Sequence, residues 1–153
     1  MVSWTTVRIL LIISVILGLD TKQVDYTCAF LHASITEDVY GHMPRRFEEQ
    51  GNVLKLKRSL YGLRQSPRNF FDHLRENLIK VGFTQSDVDP CLFISEKVKC
   101  LVYVDDNLFF SPNESDFDVV LEKMRKLKKE LNVEDDVAGF LGVLIKKLYG
   151  DRI

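Results

Sequence analysis

Three aspartates are the residues of this chain best suited to chemistry. Asp105 and Asp106 are adjacent and lie between two apolar, β-rich runs, residues 100–104 and 108–110. Tyr103-Val104-Asp105-Asp106 therefore reads as the tip of a hairpin. Neighbouring side chains diverge along a strand, but at a turn both can reach one cation. Asp is also common in turns for reasons of backbone geometry alone, so the pair gains meaning only from a third partner. Asp25 is that partner: in Gln23-Val24-Asp25-Tyr26 a carboxylate is embedded in an apolar strand, where it needs a cation or hydrogen-bond donors. Three carboxylates brought together repel one another unless divalent metal neutralises them. Two-metal phosphoryl transfer uses such a cluster, one ion activating an attacking hydroxyl and the other steadying the pyrophosphate leaving group.

The elements that must hold these residues follow from pattern. Residues 5–17 read as a mostly buried helix, apolar on nearly every side. Residues 23–26 read as a strand running on into 29–31, and 39–43 and 53–57 alternate as strands do. Ser66 and Pro67 open a helix, Ser as N-cap and Pro at the first helical position. Phe70, Phe71, Leu74, Leu78 and Val81 form its apolar stripe and Gly82 ends it. Residues 91–95, 99–104 and 108–111 are strand candidates. Ser115 and Asp118 make a capping-box-like start to a helix whose 3.6 period runs through Phe117, Val120, Leu121, Met124, Leu127 and Leu131. Residues 139–146 are a final strand candidate. Mixed strands and helices of this kind predict an α+β domain with antiparallel pairing.

At 153 residues, 46% hydrophobic and 28% charged, the chain has the size and make-up of one globular core. That excludes a disordered chain, a collagen-like repeat and a disulfide-dense miniprotein. Cys28, Cys91 and Cys100 are odd in number and lack C-x-x-C spacing, which argues against a disulfide framework or zinc knuckle and for a reducing compartment. Cys28 and His32 share helical spacing, but two ligands do not make a metal site. Residues 9–19 follow Arg8 as an apolar stretch follows a basic one in a signal peptide. Yet the run is far short of the roughly 20 residues a membrane span takes, and Asp20, Thr21 and Lys22 follow it instead of small residues. A buried core helix is the favoured reading and a secretory signal the alternative.

The net charge of −1 announces no global basic field for nucleic acid, but the charge is unevenly spread. Residues 42–75 carry eight Lys/Arg against three Asp/Glu, and residues 84–118 carry two against eight. A basic stretch beside an acidic one could hold a polyanion and a cation side by side; a mosaic of solvated faces is the plain alternative.

Five motifs then resemble one family. The segment from Gln23 through Asp25 to Phe30 and Leu31 resembles the first catalytic-carboxylate motif of the Ty1/copia-type retrotransposon reverse transcriptases. Residues 59–68, from Ser59 through Tyr61, Gly62 and Arg64 to Arg68, resemble their S-L-Y-G-L-[KR]-Q-S-P-R block. Residues 87–93 are similar to the D-x-D-P-C-L-F segment that follows, Tyr103 to Asp106 to the Y-V-D-D hairpin, and 139–142 to the later F-L-G strand. Together they cover residues 4–147 in the family's order and spacing.

The resemblance implies a polymerase palm: an antiparallel sheet with helices packed on one face and the three Asp residues on the open side. Asp25 and Asp105 would ligate both catalytic Mg²⁺ ions (Mn²⁺ is the alternative metal), Asp106 being the third carboxylate and the backbone carbonyl of Tyr26 completing one shell. Phe30 would lie beneath the sugar of the incoming deoxynucleotide and crowd a 2′-hydroxyl; a core Phe is the other reading. Tyr61 and Gly62 would lie beside nucleotide and template, with Gly62 letting backbone approach closely. Tyr103 would contact the primer terminus, and Arg64 and Arg68 would meet template or primer phosphates or simply be solvated. Partners would be an RNA or DNA template-primer, a deoxynucleoside triphosphate and the rest of a parent polyprotein, in an intracellular particle or nucleus and away from any membrane.

Departures from the family pattern accompany the match. Only 24 residues precede Asp25, with Arg8 and Lys22 the sole basic ones, so the basic part of the fingers is expected to be absent. Thumb, connection and RNase H regions are expected to be missing too, leaving residues 1–153 as a palm with partial fingers. Asn107 stands where the family usually has an apolar residue or Thr, and is expected to loosen the strand. Two further readings remain: a non-catalytic remnant gripping nucleic acid through residues 42–75, and a small secreted or membrane-anchored protein led by residues 9–19.

Overall fold

The apolar runs around the aspartates pair into one antiparallel sheet. The structure, a computed structural model, describes residues 2–47, 52–127, 131–134 and 140. In chain order its elements are α1 (Trp4–Leu17), β1 (Asp20–Tyr26), a 3₁₀ turn (Ala29–His32), β2 (Tyr40–His42), β3 (Val53–Lys55), α2 (Ser66–Val81), β4 (Thr84–Gln85), β5 (Leu92–Ile94), β6 (Lys99–Tyr103), β7 (Asp106–Ser111), α3 (Glu114–Lys126) and β8 (Leu131–Glu134). Six strands form a sheet in the order β4-β5-β6-β7-β1-β8, and β2 and β3 form a separate pair. Every one of these pairings is antiparallel. The α+β expectation holds. The chain divides into two compact units, residues 28–76 forming one and the flanking segments the other, so the whole six-stranded sheet belongs to the second.

The sheet carries the larger core. Val24, Phe93, Cys100, Leu101, Val102, Leu108, Phe109 and Phe110 are all buried, as are Phe117, Val120, Leu121 and Met124 along one side of α3. Lys22 shows which face α3 covers: its ammonium lies 3.4 Å from Glu114 Oε1 and 5.8 Å from the centre of the Phe117 ring. Successive residues of a strand face opposite ways, so α3 lies on the face opposite Gln23 and Asp25.

Helix α1 ends where expected, at Leu17, and begins one residue earlier, at Trp4. Ser3 Oγ accepts from the Thr5 N–H at 3.2 Å. At the other end Gly18 is left-handed (φ +62°), and Gly18 and Leu19 donate back to Val15 and Ser14 carbonyls, the geometry that glycine permits at a helix C-terminus. Its expected burial is corrected. Only Val7 and Ser14 are buried, whereas Trp4, Ile9, Ile12, Ile13, Val15, Ile16 and Leu17 are exposed. Burial depends on what each side of a helix meets, and here only the line through Val7 and Ser14, two turns apart, is covered. Among the described residues no helix is long and apolar enough to cross a membrane. The start of α1 is tied down by Asp89, a buried carboxylate accepting from the Ser3 N–H (3.1 Å), the Thr6 hydroxyl (2.6 Å) and the Cys91 N–H (2.9 Å).

Other boundaries move for local reasons. The strand expected to run on through 29–31 stops at Tyr26, because Cys28 turns left-handed (φ +53°) and Ala29–His32 coil into a 3₁₀ turn. Ser66 is not an N-cap: it lies within α2, where its hydroxyl donates to the Leu60 carbonyl at 2.6 Å, and the Gln65 carbonyl accepts the Asn69 N–H. The Ser115 start is likewise replaced by one at Asn113, and α3 ends at Lys126, so Leu131 opens β8 rather than closing the helix stripe. The strand expected over 139–146 lies outside the described residues except for Phe140.

Candidate functional site

Strand register brings the key residues together. Asp25 of β1 lies directly opposite Asp106 of β7, and Asp106 lies opposite Tyr103 of β6. Residues opposite one another in an antiparallel pair share a face, with Cα atoms about 4.5–5.5 Å apart. Asp25, Asp106 and Tyr103 thus form a row across three strands, and Asp105 sits in the two-residue turn that joins β6 to β7. All four are half-buried. Farther from the turn the same face becomes apolar and closed, since Leu101, Leu108 and Phe110 are buried. The Tyr103 ring meets the buried Phe140 edge-on, centroids 6.4 Å apart, which accounts for one residue of the 139–142 motif.

The turn is strained in a specific way. A two-residue hairpin turn needs positive φ at its first central residue, and that residue is Val104, at +53°. A β-branched side chain there costs of order 1–3 kcal/mol. Val104 and Cys28 are the non-glycine residues with positive φ among the described residues; one immediately precedes Asp105 and the other follows Asp25 by three. Asn107 braces the turn, its amide donating to the Asp105 carbonyl at 3.1 Å. It is 1% exposed, stands opposite Val24 and Val102, and its side-chain oxygen has no hydrogen-bond partner among the described residues. The polar departure at this position therefore serves the turn's backbone at the expense of a buried acceptor.

Gln23, absent from the residues singled out by sequence, belongs to the same face. It precedes Asp25 by two positions, the strand period, and its Nε2 donates to Asp106 Oδ1 at 3.3 Å. Tyr26 turns its side chain to the other face and is buried. Burial above all, with the Cys100 thiol as a second influence, pushes its phenol well above the ordinary value of 10.0. What Tyr26 can offer the carboxylate side is backbone.

Among the described residues no three or more His, Cys, Asp or Glu are gathered closely enough to hold a metal ion, and Cys28 and His32 make no such group. The donors themselves are of the type that a hard divalent cation takes. Opposed carboxylates on adjacent strands are mutually destabilising, a third lies in the adjoining turn, and oxygen donors of this kind suit Mg²⁺ or Mn²⁺.

Unit 28–76 holds the remaining expected residues. Phe30 is buried and its ring lies 4.4 Å, centre to centre, from that of Tyr61 and 6.1 Å from Phe70. Tyr61 is 57% exposed, so one aromatic anchors the other. Gly62 has φ +92°, and an added Cβ would meet nothing within 4 Å: backbone conformation, not close approach, calls for glycine within the chain itself. The 59–66 loop is pinned by two buried serines, Ser66 to the Leu60 carbonyl and Ser59 accepting from Asn69 Nδ2 at 3.2 Å. Ser59 stands in the 59–68 motif with no role read from sequence, and its bond to Asn69 emerges only as a tertiary contact.

Arg64 and Arg68 are exposed. Arg68 Nε lies 4.0 Å from Asp72 Oδ2, in a groove also lined by Glu37 and Glu76, so its charge is partly countered. Arg58 is structural, donating to the His32 carbonyl and Ser34 Oγ, both at 3.2 Å.

The family model described as reverse transcriptase (RNA-dependent DNA polymerase) matches residues 1–151. The chain is 33% identical over 153 aligned positions to the retrovirus-related Pol polyprotein from transposon RE1 of Arabidopsis thaliana, covering 94% of this chain and 10% of that protein. It is 31% identical over 142 positions to the retrovirus-related Pol polyprotein from transposon TNT 1-94 of Nicotiana tabacum (88% and 10%). It is 32% identical over 120 positions to the transposon Ty1-MR1 Gag-Pol polyprotein of Saccharomyces cerevisiae (75% and 7%). The chain thus spans about a tenth or less of the length of these relatives. No solved structure matches it.

Proposed function

Since the chain belongs to the reverse transcriptase (RNA-dependent DNA polymerase) family and carries Ty1/copia-type motifs, we propose that its β1–β7 end is the carboxylate site of template-directed DNA synthesis. The reaction is attack of a primer 3′-hydroxyl on the α-phosphate of a deoxynucleoside triphosphate, on an RNA or DNA template, breaking the bond between the α- and β-phosphates and releasing pyrophosphate. The observation carrying this reading is the register that sets Asp25 against Asp106, with Asp105 in the adjoining turn.

Asp25, Asp105 and Asp106, with the Tyr26 carbonyl, are the groups to hold two Mg²⁺ (or Mn²⁺) ions. Bound there, the metals supply charge for the attacking and leaving oxygens. The strand ladder holds Asp25 and Asp106 in register before any ligand arrives, and such preorganisation is most of what a protein contributes to this chemistry. Tyr103, in the same row, is the residue for the primer terminus. In unit 28–76, the Phe30–Tyr61 pair and Gly62 are the elements for the incoming nucleotide, and the exposed Arg64 and Arg68 are those for template or primer phosphates. Fingers, thumb and RNase H regions of a parent polyprotein are the remaining partners. Three free thiols suit an intracellular particle or nucleus.

Mg²⁺-dependent primer extension tests the proposal. The chain extends a primer and Asp105→Asn reduces extension to background, with the circular dichroism spectrum unchanged. Equal extension by the two proteins, or none by either, removes catalysis from this chain. The exposed basic residues of 42–75 favour one other reading, nucleic-acid binding without catalysis. Its mark is salt-dependent binding to an RNA–DNA hybrid that survives Asp105→Asn.

A further inference from the structure

We infer that Gln23 is a positioning residue for the carboxylate site, its side-chain amide holding Asp106 in the conformation that faces Asp25. The inference rests on the proposed role of those carboxylates. Three observations carry it. Gln23 shares the carboxylates' face of β1, and while Leu108 stands directly opposite, its amide reaches the diagonal neighbour Asp106, donating to Oδ1 at 3.3 Å. It is 7% exposed, held between Leu108 opposite on β7 and the register position of Glu134 on β8. Its own carbonyl oxygen is buried with no hydrogen-bond partner among the described residues.

The last point fixes the sense of the contact. An ionised carboxylate accepts only, so the amide nitrogen must face Asp106, and the amide oxygen is left in the core as a consequence. An apolar side chain of the same volume would avoid that unsatisfied acceptor. Gln23 thus sits poorly as a packing residue and well as a donor.

The neutrality of the donor matters too. Lysine or arginine at position 23 would hold Asp106 equally well but would cancel the negative charge that draws a divalent cation. Glutamate would add a further negative charge and give up the donor. An amide orients one carboxylate oxygen and leaves the charge of the site intact, as outer-shell partners of metal ligands do.

The test uses the 153-residue chain with Mn²⁺ as probe, binding being read from the electron paramagnetic resonance signal of the free ion. Gln23→Met keeps the volume and removes the donor. It is expected to weaken Mn²⁺ binding about tenfold and to change the Asp106 Hα–Hβ couplings from one side-chain rotamer to an average. Thermal stability should stay the same or rise, since the unsatisfied acceptor goes with the amide. A merely structural role predicts the reverse, lost stability with unchanged affinity per folded molecule. Gln23→Leu repeats the measurement, and failure of both variants to fold assigns the residue to packing and overturns the inference.

Asp25→Asn and Asp106→Asn separate the two levels. If neither alters Mn²⁺ binding, the carboxylate reading itself fails, and the inference with it. If they weaken binding while Gln23→Met leaves both affinity and couplings unchanged, only the role of Gln23 is lost.

Discussion

The molecule contains two hairpins that differ in almost every physical respect. The β6–β7 hairpin closes in two residues, lies inside a six-stranded sheet, and has both faces buried beyond its tip. The β2–β3 hairpin is a separate pair that joins no other strand among the described residues. All six of its strand residues are exposed or half-exposed. The first carries Asp105 and Asp106 at its tip. The second belongs to the basic stretch, and its Lys55 reaches Asp38 and lies 5.9 Å from the centre of the Tyr40 ring. A lone two-stranded hairpin is marginal in water, whereas a central one is held from both sides. The contrast matches the two tasks proposed for them. Groups that position metal need rigid neighbours, while groups that meet a polyanion need exposure and charge.

The largest expected effect tests the core half of that contrast. Phe109→Ala in β7 should destabilise the chain by about 3–5 kcal/mol, while Val53→Ala in β3 should stay within about 0.5 kcal/mol. Urea unfolding of both variants measures this, and similar costs would break the comparison. Asp89 comes next, as the polar anchor of the sheet unit. Asp89→Ala strands three donors and should cost about 2–3 kcal/mol.

Burial raises the Asp89 carboxyl, but donation from the Thr6 hydroxyl, the Cys91 N–H and the Ser3 N–H outweighs it and leaves the group below its ordinary 3.8. The stabilisation from this shift is therefore complete above the ordinary value and is lost as pH falls through the lower folded value. Acid unfolding of wild type against Asp89→Asn should show that component vanish in the variant.

Two smaller effects probe the tip. Val104→Gly relieves the positive φ and should raise stability by about 1 kcal/mol, visible as a higher melting temperature. It should also make the tip more like the exposed hairpin, with faster amide exchange at Asp105. Asn107→Leu removes a buried unsatisfied acceptor and should be neutral or stabilising by up to about 1 kcal/mol. A clear loss instead would mean that its bond to the Asp105 carbonyl outweighs the burial.

Much of this was legible in the residue pattern. The strands around Asp25 and Asp105–Asp106, the amphipathic stripe of α2 and the glycine that ends it all followed from period and composition. The misreadings share a cause. Ser66 and Ser115 look like helix caps because local chemistry permits it, but Ser66 bonds instead to Leu60, six residues away, and a contact of that kind leaves no local mark. Hydropathy made α1 look buried, yet burial depends on how many faces have something to meet, and a single stripe is covered here. Gln23 and Ser59 were given no role of their own because a lone polar residue in a strand or loop has no signature until its partner is known.

The order and spacing of motifs, the side-chain types able to bind a cation and the family itself are thus properties of the sequence alone. Short-range physics and recurrence write them along one dimension. Tertiary structure decided that Asp25 faces Asp106, that the Gln23 amide donates to that carboxylate, and that a strained valine forms the turn beside Asp105. Those depend on register between strands some 80 residues apart. A slip of one residue would turn every side chain of β1 to the other face, and only the packed sheet selects against it.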